Sequence, residues 1–321
     1  MRIFVAGASG AIGQRLVPLL VAGGHAVTGT TRTPGKADAI RAAGATSVVL
    51  DALDRDAVKE ALARAEPEVV VHQMTALAGF TDFRKFDEGF AATNQLRTEG
   101  TDNLIAGMRE LQVRRIVAQS FAGWPHTRVG GPVKTEEDPI DPDPPAALRR
   151  GLEAISHLEN AVLHTAGIDG TVLRYGGFYG PGTSLGEGGF QLDVVRRRRF
   201  PLVGPGTGVW SFIHIDDAAT ATVAAIDRGA TGLFNIVDDD PAPVAEWLPV
   251  LAAAIGAKPP RRVPVWIARL FVGEHGVAMM TDVRGASNAK AKRDLGWRPS
   301  YPSWREGFRR GLGSVTPARA A

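Results

Sequence analysis

A run near the start of the chain, Gly7-Ala8-Ser9-Gly10-Ala11-Ile12-Gly13, limits what the rest can fold into more than any other feature. It follows a short apolar stretch, Arg2 to Ala6, and opens a segment whose apolar residues Ile12, Leu16, Leu19 and Leu20 recur at helical spacing. A strand, a tight glycine turn and a helix in that order predict a phosphate-binding turn. Gly7 permits the bend, Gly10 lets backbone approach a diphosphate, and Gly13 lets the helix pack closely on the sheet. The first amides of such a helix have no partner and lie at the positive end of its dipole, so they suit an anion. Ser9, Ala11 and Ile12 lie in the same turn, and the segment is expected to hold a dinucleotide.

The alternation continues. Ala26 to Thr30, Ser47 to Leu50, Val69 to His72, Ile116 to Gln119 and Gly170 to Leu173 read as buried strands, each followed by a helix-like or loop segment. Such repetition predicts an α/β fold of Rossmann type, a doubly wound parallel sheet with its ligand crevice at the carboxyl ends of the strands. After Gly182 the pattern turns irregular, with strands expected at Trp210 to Ile215 and Leu233 to Ile236 and helices near Val244 to Ile255 and Trp304 to Leu312. The dinucleotide-binding domain is therefore assigned to 1–180 with parts of 209–237, and a smaller C-terminal substrate domain to 181–208 and 238–321.

Composition excludes several chemistries. With no cysteine among 321 residues there is no thiolate nucleophile or cysteine-ligated zinc, and the seven histidines show no metal-ligand spacing, so no metal is expected. No apolar run is long enough to cross a bilayer and no secretory leader precedes the first strand, so a cytoplasmic protein without a membrane partner is expected. A net charge of +3 gives no bulk attraction to nucleic acid. The basic run Arg196 to Arg199 reads either as a solvated helix end or as an anion-binding group. Pro139 to Pro145 and Pro259 to Pro264 read as stiff connectors, and Val315 to Ala321 as a frayed tail.

The second strand ends at Thr30-Thr31-Arg32-Thr33, where an NAD-binding protein would usually place an acid for the adenosine ribose. Arg32, with Lys36 nearby, instead suits a 2′-phosphate, so NADP is expected over NAD; a plain surface arginine is the competing reading. Asp51, at the end of the third strand, is placed either to meet the adenine or to cap the next helix.

Further motifs carry a resemblance. Asn94 before Gly100-Thr101, the Ser120 segment, Leu173-Arg174-Tyr175 leading to Tyr179-Gly180-Pro181-Gly182, Phe212-Ile213-His214-Ile215-Asp216-Asp217, Ser287-Asn288-Ala289-Lys290 and Leu295-Gly296-Trp297-Arg298-Pro299 join the glycine turn and Val69 to His72. Over nearly its whole length the chain resembles an extended short-chain dehydrogenase/reductase of the epimerase/dehydratase branch. The resemblance implies a nicotinamide cofactor, a small-molecule substrate and often a homodimer. It further implies that Gly7, Gly10, Ala11 and Ile12 hold the pyrophosphate, that Asp51 and Ala52 meet the adenine, and that Met74 and Thr75 line the cofactor. Asn94 would tie two strand ends together, Tyr175 and Phe178 would lie near the nicotinamide, and Ser120 would match the hydroxyl that bonds a substrate carbonyl.

One departure matters more than these matches. Such enzymes carry a Tyr and, four residues on, a Lys on one helix face, the Lys lowering the Tyr pKa so that the phenol exchanges a proton with a carbonyl. With Glu159 as the alignment anchor, Gly151 stands at the Tyr position and Ile155 at the Lys position, and no tyrosine occurs before Tyr175. A substitute acid is then sought among Tyr175, Tyr179, His126 and Lys134. Three readings follow: an NADP-dependent oxidoreductase acting on a small carbonyl, hydroxyl or sugar-nucleotide compound with an atypical donor; an NADP-sensing regulatory protein; or a non-redox isomerase or cyclase with a structural cofactor.

Overall fold

A computed structural model describes residues 1–77 and 85–313. The first part of the chain runs β1 (Arg2–Ala6), α1 (Gly13–Ala22), β2 (Ala26–Thr31), α2 (Ala37–Ala42), β3 (Thr46–Val49), α3 (Arg55–Ala65), β4 (Val69–His72), α4 (Phe86–Gln95), a π-helical turn (Leu96–Gly100), α5 (Thr101–Glu110) and β5 (Arg115–Phe121). Then come β6 (Val133–Lys134), α6 (Ala146–His164), β7 (Asp169–Tyr175), β8 (Gly177–Tyr179), α7 (Phe190–Arg196), β9 (Leu202–Val203), β10 (Val209–Trp210) and β11 (Phe212–His214). The remainder is α8 (Ile215–Arg228), β12 (Gly232–Ile236), β13 (Ala242–Pro243), α9 (Val244–Ala254), β14 (Arg262–Val263), α10 (Val265–Thr281), β15 (Gly285–Ala286) and α11 (Trp304–Arg310). The expected tail from Val315 lies outside the described residues.

Seven strands form one parallel sheet in the order β12-β7-β5-β4-β1-β2-β3. This is the doubly wound Rossmann arrangement, and the chain reverses direction between β1 and β4, where the carboxyl ends of the two strands open a crevice. The strands are apolar on both faces because helices cover both. Along β1 the side chains alternate: Ile3 and Val5 pack with Leu16, Leu20, Ala218 and Ile226, while Phe4 and Ala6 pack with Leu62, Leu104, Leu158 and Val162. Full burial of such a side chain contributes roughly 1.5–3 kcal/mol.

A further apolar core lies in the later part of the chain, where Tyr179, Phe212, Trp247, Trp304 and Phe308 pack together. The strand expected over Trp210 to Ile215 is divided there. β10 pairs antiparallel with β13 and β11 parallel with β8, while Ile215 already belongs to α8. Ser211 sits at the break, its Oγ accepting from Ala286 N at 2.8 Å, and a polar residue bonded sideways interrupts a ladder that apolar periodicity alone would continue. Arg196 pairs with Glu187 and Asp193, and Arg197 with Asp193, so these two cations of the basic run sit among acids of and beside α7.

Candidate active site

The glycine turn joins β1 to α1 at the reversal point. Gly7 has φ +91°, and a Cβ there would lie 2.7 Å from the Gln73 carbonyl oxygen of the neighbouring strand end. At Gly13 a Cβ would lie 2.4 Å from the Ala8 carbonyl oxygen, so both positions exclude a side chain. Gly10 is exposed and keeps the mouth of the turn clear. Ile12 caps α1 without any side-chain hydrogen bond, and the amides of Ala11 and Ile12 bond no group among the described residues. Free amides, an uncapped helix start and an open mouth fit the diphosphate of a nicotinamide dinucleotide.

Two threonines at the end of β2 brace this turn. Gly7 N donates to Thr30 Oγ1 at 3.2 Å, and Ser9 Oγ lies 2.8 Å from Thr31 Oγ1. Arg32 and Lys36 follow, exposed and outside every ion pair among the described residues. Asp51 is exposed and one of its oxygens accepts from Leu53 N at 3.1 Å, while the Ala52 carbonyl accepts from Asn103. Met74 is buried beyond β4, its carbonyl accepting from Gln119 at 3.2 Å; Thr75 is exposed. Phe178 lies against Tyr175, ring centroids 5.5 Å apart.

α6 packs beside β5 and β7. A Cβ on Gly151, the position that the resemblance aligns with the family's tyrosine, would meet the Trp124 ring at 3.3 Å, so an indole stands against it. Ile155 is fully buried in a cluster with Phe86, Trp124, Leu148 and Leu152. Phe121 joins that cluster from the end of β5, its centroid 6.0 Å from that of Trp124. The wall is aromatic and apolar where the family's pair would be polar.

The structure places the substitute acids offered by the sequence in buried surroundings, with Tyr175 and Lys134 hydrogen-bonded and the Tyr179 hydroxyl and both His126 ring nitrogens without a partner among the described residues. Ser120 is buried and donates to Glu159 Oε1 at 2.7 Å; Arg174 clamps the same carboxylate through Nε and Nη2 at 2.7 and 2.6 Å. Tyr175 is buried against α8, its hydroxyl 2.6 Å from Thr222 Oγ1 and receiving Gln73 Nε2, and burial pushes its pKa up to about 12. The Tyr179 ring is sealed among Phe212, His214 and Phe308, and burial raises its pKa strongly. His126 is 1% exposed, and burial, aided by Arg174, lowers its pKa to about 3, so it is neutral at ordinary pH. Lys134 donates to Val129 O at 2.7 Å and to Asp138 at 3.2 Å.

Asn94 also departs from expectation. Its side chain ties no strand ends together: Oδ1 is buried without a partner, and it is Thr93 Oγ1 that accepts from Ala76 N at 3.0 Å. His72 Nδ1 accepts from Met74 N, and burial holds its pKa near 4. The residue that sequence reasoning missed altogether is Arg97. It is 7% exposed, its side chain enters no hydrogen bond or ion pair among the described residues, and burial pulls its pKa to about 10 despite the pull of Glu159. Its signal was present: Phe86, Thr93, Arg97, Thr101 and Leu104 recur at helical spacing, and a charge within such a stripe is anomalous.

Comparison with known proteins places the chain in a family. The model of the NAD dependent epimerase/dehydratase family matches residues 3–236. The chain is 45% identical over 316 residues to a 3-diazoavenalumate denitrifying reductase from a Streptomyces species, covering 97% of this chain and all of that one. It is 27% identical over 263 residues to a 4-hydroxy-2-methyl-3-oxo-4-farnesyl-3,4-dihydroquinoline-1-oxide ketoreductase from Stigmatella aurantiaca, covering 80% and 74% of the two chains. Among solved structures, the UDP-glucose 4-epimerase of Thermus thermophilus in complex with NAD superposes with a TM-score of 0.72 at 23% identity, over 97% of this chain and 98% of that one. With the glycine turn, the seven-stranded sheet and these relatives in agreement, the chain belongs to the NAD-dependent epimerase/dehydratase family of extended short-chain dehydrogenases/reductases and is an NAD(P)-dependent oxidoreductase.

Proposed function

We propose that this enzyme is an NADP(H)-dependent reductase whose acceptor needs no proton from the protein, and that the acceptor class is an arenediazonium. The observation that carries this reading is the α6 wall, with Gly151 under Trp124 and Ile155 in the apolar cluster. Reducing a carbonyl requires a proton at the new alkoxide, which the family obtains from its tyrosine. The four groups offered in its place are buried, Tyr175 and Lys134 also hydrogen-bonded, and Ser120 is bonded to Glu159. Bound, the cofactor supplies a hydride. An arenediazonium that gains it becomes a neutral arene as the carbon–nitrogen bond breaks and dinitrogen departs, so charge and atoms balance without a proton. The Streptomyces relative, whose name describes a reductase removing nitrogen from a diazo compound, supports the same chemistry.

The chain's part is to bind and orient. The Ala11 and Ile12 amides hold the diphosphate, with Ser9 and the three glycines shaping the turn. Arg32 and Lys36 take the 2′-phosphate, since two unpaired cations and no acid at the end of β2 favour the phosphorylated cofactor. Asp51 and Ala52 flank the adenine, while Met74, Thr75 and Phe178 line the nicotinamide half.

The test follows consumption of NADPH with benzenediazonium, measuring dinitrogen release and, from NADPH deuterated at the transferring position, deuterium on the arene carbon. Equal amounts of oxidised cofactor, dinitrogen and labelled arene are expected, and consumption of a simple ketone in preference to the diazonium salt overturns the reading. Arg32→Ala is expected to narrow the preference for NADPH over NADH by about tenfold. An unchanged ratio removes the case for NADP.

A further inference from the structure

Gly151, Ile155 and Glu159 follow one another at intervals of four residues on α6 and therefore share a face. Facing them, α4 and the π-helical turn carry Asn94 and Arg97, three residues apart. Asn94 Oδ1 lies 4.0 Å from where a Cβ on Gly151 would stand, and Arg97 lies near enough to Glu159 for their charges to attract. Each side chain holds a buried polar atom without a partner among the described residues, Asn94 Oδ1 and Arg97 Nη1. The polar groups missing from α6 thus reappear on the neighbouring helix, flanking Ile155.

Glu159 does not neutralise Arg97. Its Oε1 already accepts from Ser120 and from Arg174 Nε, and its Oε2 from Arg174 Nη2. Two guanidinium groups share one carboxylate, and the nearby His72 and His126 are neutral, so a positive charge is left over in the interior beside the crevice. An interior cation without its own anion is costly, and a bound anion would remove that penalty.

We infer that Arg97 receives the anionic group of the substrate, a carboxylate, and that Asn94 bonds the same end of the molecule. The guanidinium fork matches the two oxygens of a carboxylate, and the Asn94 amide, turned about its last bond, offers either oxygen or N–H to the group. The inference rests on the reductase reading in naming the other end of the same acceptor: with its carboxylate on Arg97, an aromatic acid lays its ring along the wall of Trp124 and Phe121. Arg97 is in this role a specificity-determining residue and takes no part in the transfer itself.

Two measurements separate this assignment from the reductase reading. In the first, benzoate and benzamide are titrated calorimetrically into protein saturated with NADP. The native enzyme is expected to prefer benzoate by at least about tenfold, Arg97→Met to lose that preference, and Arg97→Lys to keep part of it, with NADPH affinity unchanged in all three. Equal binding of acid and amide by the native protein, or a fall in NADPH affinity with no change in acid preference, overturns the inference. In the second, 3-carboxybenzenediazonium and its carboxamide analogue are compared as substrates. Arg97→Met should raise KM for the carboxylate alone and leave kcat nearly unchanged; if it weakens both substrates alike, Arg97 is a structural residue and the inference fails. Absence of turnover with either salt, alongside an Arg97-dependent preference for benzoate, defeats the reductase reading while the anion site stands.

Discussion

The glycine turn and the α6 wall both face the carboxyl ends of the central strands, but they are built from different parts of the chain. At the turn the ligand-facing groups are backbone amides, and the sequence contributes chiefly by leaving side chains out at Gly7, Gly10 and Gly13. At the wall the space is closed by buried side chains, Ile155 of α6 and Trp124 packed over Gly151, on a helix whose own Leu158 and Val162 anchor it in the core. A backbone site is lost as soon as a side chain intrudes, whereas a side-chain site can be refitted while the helix stays in place. The result is a conventional cofactor turn opposite a wall of Gly151, Ile155 and Trp124, with polarity moved to Asn94 and Arg97.

The largest test of this contrast concerns the buried charges behind the wall. Glu159→Gln leaves Arg174 and Arg97 without an anion, and a loss of about 3–5 kcal/mol in urea unfolding is expected. A loss smaller than that of an ordinary surface change would show that these charges are not held out of water as the geometry implies.

Acid comes next. His72 and His126 have folded pKa values lowered by burial to about 4 and about 3 from 6.5, so below pH 6.5 the unfolded chain takes up protons that the folded one refuses. Their contribution is fully present above pH 6.5 and is lost as pH falls towards the folded values, by about 2 kcal/mol for each histidine at pH 5. Unfolding measured at pH 7 and pH 5 should show that loss, and His72→Gln with His126→Gln should flatten it. A native protein equally stable at both values would contradict the burial of these rings.

A matched pair of alanines compares the two regions directly. Gly13→Ala sets a Cβ 2.4 Å from a backbone oxygen, and Gly151→Ala sets one 3.3 Å from the edge of the Trp124 ring. Backbone at the turn cannot yield as an indole can, so about 1–3 kcal/mol and roughly tenfold in NADPH affinity are expected for the first and much less for the second. The reverse order would show that the wall is the more rigid of the two. Ser120→Ala should have the smallest effect, about 1 kcal/mol from the lost bond to Glu159. Its kcat should stay within about threefold of native, against the 10²–10⁴-fold expected for a proton-transferring group. A drop of that larger size would return Ser120 to the catalytic role the family resemblance implies.

Strand–helix alternation located each strand of the main sheet to within a few residues, because apolar periodicity records burial directly, and it failed at Trp210 to Ile215, where Ser211 ends one pairing and begins another. The vacancy at Gly151 and Ile155 was also legible, since a missing tyrosine can be read from the chain itself. The direction of the polar groups was not. Ser120 and Phe121 are adjacent on β5, and a strand turns neighbours to opposite faces, so the partner of each is decided by what packs there. Glu159 reaches Ser120 from a helix that begins 26 residues later, and Arg174 joins them from the next strand of the sheet.

The chain by itself therefore determined the dinucleotide turn, whose geometry is local and consists of backbone with three side chains withheld. Tertiary structure decided what stands across from it. Whether a serine, tyrosine or arginine is spent inside the protein or left for a ligand depends on which distant charges and rings meet it, and those meetings are set by packing between elements far apart in sequence.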